Sequence, residues 1–162
     1  MLVARDVSDS TPEARAAFIE RLNQVFAEFV PHNHALGFRF RDYGDGLAEI
    51  VLPYAAHLVG NPDTGVLHGG PISALLDATS GASVFLKFRR AIGVATLDLR
   101  IDYLKPATPG QDVVARATCY KLTKHVGFTR AVAYHDDPDA PIASSAGTFM
   151  IVGSTIPVGG DS

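Results

Sequence analysis

Residues 65 to 81 read Gly-Val-Leu-His-Gly-Gly-Pro-Ile-Ser-Ala-Leu-Leu-Asp-Ala-Thr-Ser-Gly, and two kinds of reactive group stand out in them. The first is Asp77, a carboxylate inside an otherwise apolar run. An unpaired carboxylate in an apolar interior carries a large desolvation cost, so such a residue tends to face solvent or to be functional. Its chemistry would be that of a general base or a nucleophile toward a carbonyl carbon. The second is the backbone of Gly69 and Gly70, just after His68. A helix that opens there presents N–H groups with no intrahelical partner, which is what a developing oxyanion requires. Pro71 has no N–H, so the donors narrow to the glycines. Plainer readings exist for each residue. Glycines supply unusual turn angles, a buried carboxylate can be satisfied by backbone or hydroxyl groups, and a histidine can simply pack a loop.

The element that must carry these groups is an apolar helix from about Pro71 to Phe88. Its small residues, Ala74, Ala78, Gly81 and Ala82, are spread among Ile72, Leu75, Leu76, Val84 and Phe85. A helix this apolar on most sides is expected to be enclosed, with its small residues letting a sheet approach. Before it, Ser10-Thr11-Pro12-Glu13 marks a helix start. Phe18, Leu22, Val25, Phe26 and Phe29 then form one apolar stripe up to Pro31, predicting a helix over about 11–30 that docks by one face. Strands are predicted at 36–43 and 46–52 around Tyr43-Gly44-Asp45-Gly46, a tight-turn sequence. Residues 53–67, rich in Pro, Gly, Asn and Asp, read as loop. Four further strands are predicted at about 92–104, 111–122, 125–136 and 142–152. Short, turn-rich connectors between them favour antiparallel neighbours. The expected fold class is α+β, an antiparallel sheet wrapped around one central helix with an extra N-terminal helix, all in one domain over 1–162.

Composition limits the partners. The chain is 47% hydrophobic and 19% charged, which excludes a disordered or fibrous chain. A formal net charge of −3 offers no basic footprint for nucleic acid. One cysteine, Cys119, allows no intrachain disulfide. Residues 1–6 lack a signal-peptide core and no apolar run reaches membrane-helix length, so a cytoplasmic protein with no membrane partner is expected. His32 and His34 are two apart and the other histidines are scattered, so neither a metal site nor a cofactor is expected. No Gly-Lys-Ser/Thr follows the glycines, so there is no P-loop.

The block Asn61-Pro-Asp-Thr-Gly65-Val-Leu-His68-Gly69-Gly70, with Leu76-Asp77 and Gly81, resembles the hotdog-fold acyl-CoA thioesterases of the phenylacetate-pathway type. Ala95 to Gly110 and Ala143 to Met150 match the same family, so the resemblance covers about 36–152. It implies a hotdog fold and hydrolysis of an acyl-CoA thioester. It implies Asp77 as base or nucleophile, the Gly69 amide as oxyanion donor, and His68 and Asn61 as assisting groups. Thr96 would stand near the attacking water. Gly70 would sit beside the bound substrate. Lys105, Pro106, Ala107 and His125 would form an edge for the coenzyme A nucleotide, where cations meet phosphates. It also implies a homodimer or homotetramer, with Asp77 and Gly69 of one site drawn from different chains. Alternative readings are an enoyl-CoA hydratase or dehydratase on the same fold, a non-catalytic acyl-CoA-binding protein, and a purely structural domain.

Overall fold

The structure, a computed structural model, describes residues 11–88 and 93–152; the chain start read above, Ser10 and the predicted strand start at 92 lie outside the described residues. Helix α1 (Pro12–Leu22) begins at Thr11, whose Oγ1 accepts the N–H of Ala14 at 3.3 Å. It runs on into a π-helical segment, Asn23–Glu28. Pro31 does not simply end this helix, as the sequence suggests. The helical turn has already closed at Glu28, and Pro31 opens a short helix α2 (Pro31–Ala35). Proline at a first helical position costs no hydrogen bond, so the same residue that stops one helix starts another.

The hairpin of β1 (Arg39–Gly44) and β2 (Leu47–Leu52) turns through Gly46, whose φ is +71°. The following stretch is not all loop. It holds a 3-10 turn (Ala56–Leu58) and a small hairpin of β3 (Val59–Asn61) and β4 (Val66–Leu67). After α3 (Gly69–Phe88) come β5 (Gly93–Tyr103), β6 (Val113–Leu122), β7 (Val126–Tyr134) and β8 (Ala143–Val152). The main sheet has six strands in the order β1-β2-β6-β7-β8-β5, every pair antiparallel. The predicted layout of a sheet around one long helix holds, and β1 and β5 are its two edges.

Helix α3 packs against β2, β5, β6, β7 and β8. Its Leu75, Leu76, Val84 and Leu86 are essentially fully buried, each such side chain contributing about 2 kcal/mol of hydrophobic stabilisation. Enclosure is incomplete, however: Ser73, Asp77 and Gly81, spaced four apart on one line of the helix, are only half-buried. The closest approach of helix and sheet comes from the sheet side. A Cβ on Gly127 of β7 would lie 2.7 Å from Val84 Cγ1, so only glycine fits there.

The N-terminal helical segment lies along β1. Phe18 packs on Tyr43 with centroids 4.7 Å apart, and Phe26 meets Phe40 edge-on at 5.7 Å and Phe85 at 5.1 Å. Arg15 pairs with Asp42, donates to the Tyr43 carbonyl at 2.7 Å and stands 4.6 Å over the Tyr43 ring. Asn23 Oδ1 accepts the Phe40 N–H at 2.7 Å. On the sheet face away from α3, Glu49 is 4% exposed yet charged. Arg116 opposite it forms an ion pair, Tyr134 Oη donates at 3.3 Å, and Arg41 stands 3.9 Å off. The hydrogen bond to Glu49 holds the Arg116 guanidinium above its ordinary range, and burial pushes the Tyr134 phenol up.

Candidate active site

Asp77 sits in the middle of α3 on the line of half-buried residues nearest β5. Its Oδ1 accepts a hydrogen bond from Thr96 Oγ1 of β5 at 2.8 Å. A β-bulge between Thr96 and Asp98 interrupts the β5–β8 register just beyond this threonine. Carboxylate and hydroxyl, 19 residues apart in sequence, are thus brought together.

Gly69 and Gly70 open α3. Neither has a positive φ, so unusual backbone angles are not what requires glycine here. Close approach is: a Cβ on Gly69 would lie 3.1 Å from Tyr103 Oη, and one on Gly70 3.0 Å from His68 Nδ1. The Gly70 N–H donates to His68 Nδ1 at 2.9 Å. That contact makes Nδ1 an acceptor, which places the proton of the neutral ring on the exposed Nε2. The Gly69 N–H has no partner among the described residues, leaving it available to an incoming oxygen.

The β3–β4 hairpin holds this turn in place. The His68 N–H donates to the Leu58 carbonyl at 2.9 Å, and Gly60 lies so close that a Cβ on it would stand 2.9 Å from His68 Cα. Asn61 is at the far end of the hairpin. Its Oδ1 accepts the Asp63 N–H at 3.0 Å and its carbonyl accepts from Gly65 at 2.9 Å, which is turn chemistry.

A cavity of about 330 Å³ adjoins Gly69. Val66, Leu67, Gly69 and Ile72 form one wall, and Tyr103, Leu104, Lys105, Pro106 and Ala107 the other. Three of the predicted nucleotide-edge residues therefore flank the candidate oxyanion donor. His125 does not join them. It lies in the β6–β7 turn, where its carbonyl accepts from Ile151, level with Val94 at the start of β5. The other end of that strand, Tyr103, is about 30 Å away along it at 3.3 Å per residue, and Lys105 lies beyond.

The sequence reading missed two residues at the glycine turn. Tyr103 Oη donates to the Gly69 carbonyl at 2.7 Å, Ser73 Oγ donates to the same carbonyl at 3.1 Å, and the two hydroxyls are 2.7 Å apart. Ser73 had a local signal, since a serine four residues after Gly69 can reach its carbonyl. Tyr103 had none. A second missed set ties together the loops next to the cavity walls. His135 Nε2 accepts the Thr108 N–H at 2.8 Å and its Nδ1 meets the Asp112 carbonyl at 2.7 Å. Asp112 Oδ1 accepts from the Tyr54 N–H at 2.8 Å, and Tyr54 Oη donates to the Gly65 carbonyl at 2.8 Å. Among the described residues no group of three or more His, Cys, Asp or Glu stands where it could hold a metal, and no helix is long and apolar enough to cross a membrane.

Asp77 and Gly69 lie on the same helix eight residues apart, about 12 Å along its axis at 1.5 Å per residue. One carbonyl group cannot touch both within a single chain.

The family model of the thioesterase superfamily matches residues 64–142. The medium/long-chain acyl-CoA thioesterase YigI of Escherichia coli is 27% identical over 146 residues, covering 82% of this chain and 93% of that protein. A Halobacterium salinarum protein carrying an esterase name is 32% identical over 124 residues, 72% of this chain and 81% of that one. A crystal structure of a Pseudomonas aeruginosa protein, 42% identical, superposes with a TM-score of 0.74 over 82% of this chain and 97% of that chain. The Escherichia coli PaaI protein from the phenylacetic acid degradation operon shares the fold at 18% identity, with a TM-score of 0.73 over 87% and 98% of the two chains.

Proposed function

Because the chain belongs to the thioesterase superfamily, we propose that it hydrolyses acyl-CoA thioesters to the free acid and coenzyme A at a site built from two copies of itself. Asp77 acts as general base or nucleophile at the thioester carbonyl, and the Gly69 N–H stabilises the oxyanion that forms. Thr96 orients the Asp77 carboxylate and lies where the attacking water would stand. His68 holds the glycine turn through Nδ1 and leaves its Nε2 exposed. Gly70 and the Lys105-Pro106-Ala107 segment line the substrate approach. Asn61 and His125 do not reach this group within one chain, so any role for them comes through the partner copy.

The observation that carries the reading is the separation along α3. The half-buried Asp77 faces the open side next to β5, while Gly69, whose N–H has no partner among the described residues, lines a cavity two turns away. A second copy, pairing β5 to β5 in one continuous sheet, would set the Gly69 of one chain opposite the Asp77 of the other. The name of the Escherichia coli relative supports medium- or long-chain acyl groups as the first substrates to try.

The test is thiol release from a panel of acyl-CoAs. Asp77→Asn keeps the size and removes the base, so turnover should fall by about a hundredfold or more with the fold retained. Gly69→Ala should also fall. Mixing the two inactive variants under conditions that exchange chains should restore about a quarter of wild-type activity, since half the dimers are mixed and each has one intact site. Failure of the mixture to recover, with both variants assembled normally, rejects the shared site. Hydration of an enoyl-CoA without thiol release would favour the hydratase reading instead.

A further inference from the structure

We propose that Tyr103, supported by Ser73, is the positioning residue that aims the Gly69 N–H at the substrate oxygen. This inference rests on the reading of Gly69 as oxyanion donor. An oxyanion donor is effective only when its direction is fixed before the charge develops. Glycine is the residue least able to fix it, because its backbone has the widest freedom. Gly69 is moreover the first residue of its helix, where turns fray and the N–H has no acceptor within the helix.

The Gly69 N–H lies on the peptide before Gly69, whose His68 side is anchored by the His68 N–H to the Leu58 carbonyl at 2.9 Å. The peptide that follows Gly69 is pinned at both ends, which limits rotation about the Gly69 Cα. Its N–H, on Gly70, donates to His68 Nδ1 at 2.9 Å. Its carbonyl, on Gly69, accepts from Tyr103 Oη at 2.7 Å and from Ser73 Oγ at 3.1 Å. The hydroxyls are 2.7 Å apart. Two hydroxyl hydrogens serve three contacts, so with Tyr103 donating to the carbonyl, the Ser73 hydrogen is shared between that carbonyl and Tyr103 Oη. Ser73 belongs to the same helix, but Tyr103 belongs to β5. Its phenol is therefore the pin that fastens the free end of α3 to the sheet.

Tyr103 also crowds position 69. A Cβ there would meet Oη at 3.1 Å and Cζ at 3.3 Å, tighter than ordinary contact. A side chain there would press the phenol a few tenths of an ångström away from the carbonyl that it holds. Because Oη is engaged with the backbone, Tyr103 acts through Gly69 and is not itself a catalytic residue.

The experiment is a double-mutant cycle on the full chain with an acyl-CoA that the wild type turns over. Tyr103→Phe keeps the ring and the cavity wall and removes only the hydroxyl. It should lower kcat about tenfold, a part of the 10²–10³ that losing an oxyanion donor costs, with KM within about twofold. Ser73→Ala should lower kcat by a smaller factor, also without a change in KM. Gly69→Ala should cost far less in the Tyr103→Phe background than in the wild type, because the atom that Cβ strikes first is gone. Wild-type kcat in Tyr103→Phe, or strictly additive losses in the cycle, overturns the inference. If Asp77→Asn and Gly69→Ala lose turnover while Tyr103→Phe and Ser73→Ala do not, the inference alone fails. If no acyl-CoA is hydrolysed by the wild type, both it and the reading beneath it fall.

Discussion

At the β1 edge of the sheet, the chain covers its own strand; at the β5 edge, no element among the described residues does. Along β1 the N-terminal helical segment supplies Phe18 and Phe26 to the aromatic rings of the strand, Arg15 to its carboxylate, and the Asn23 side chain to the Phe40 N–H. Along β5 stand Leu97 and Tyr103, 55% and 50% exposed, followed by Leu104 at 57%. An uncovered strand edge with apolar side chains is a template for pairing with another chain. The difference teaches where association is blocked and where it is invited. The invited edge is the one that carries Thr96 and Tyr103, which hydrogen-bond Asp77 and the Gly69 carbonyl.

The most forceful way to break this contrast is to charge the open edge. Leu97→Asp should leave a folded monomer by light scattering and lower turnover by a hundredfold or more, because each site would lose a contributing copy. Preserved assembly and activity would mean that β5 is not the joining edge. At the covered edge the response should be of another kind. Phe26→Ala removes a half-buried ring that joins the N-terminal segment to β1 and α3, and should cost about 2 kcal/mol in denaturant unfolding. Turnover per folded molecule should not change.

A substitution between the edges serves as reference. Gly127→Ala drives a methyl group against Val84 and should cost about 1–3 kcal/mol with assembly unaltered. Asn23→Ala, which leaves the Phe40 N–H without its acceptor, should cost about 1 kcal/mol in thermal or chemical unfolding. The smallest effect is expected at Cys119 in the middle of the sheet. It is 3% exposed, and burial pushes its thiol pKa up, so the reactive thiolate is suppressed at neutral pH. The native protein should leave a disulfide dye untouched until unfolded, and thiol-release assays should carry no signal from the enzyme itself.

The same contrast separates what was legible in the sequence from what was not. The central helix and the strands of the main sheet are written in periodicities long enough to read, and so is the N-terminal stripe through Phe18, Leu22 and Phe26. Its last member, Phe29, does not dock, because the helical segment closes at Glu28 and leaves the ring 78% exposed. The β3–β4 hairpin has strands of three and two residues, too short for any period to show. Helix α2 was hidden because Pro31 reads as a stop, though its missing N–H suits a first helical turn equally well. In the site, Asp77, His68 and Gly69 stand out because a carboxylate in an apolar helix and paired glycines before a proline are local anomalies. Tyr103 touches Gly69 across 34 residues, and nothing near either residue announces it. His125 was grouped with Lys105 on charge alone, but strand register sends them to opposite ends of the sheet.

The seven helical residues between Gly69 and Asp77 would, with the site shared between two copies as proposed, have a consequence for how this chain behaves on dilution. A site split between copies obeys mass action: below the dissociation constant of the pair, rate rises as the square of protein concentration, and specific activity is no longer a constant. Linkage works in reverse as well. A substrate that touches both chains must tighten their association by the factor that association tightens its binding. Acyl-CoA would then act as the glue of its own enzyme, and its depletion would loosen it.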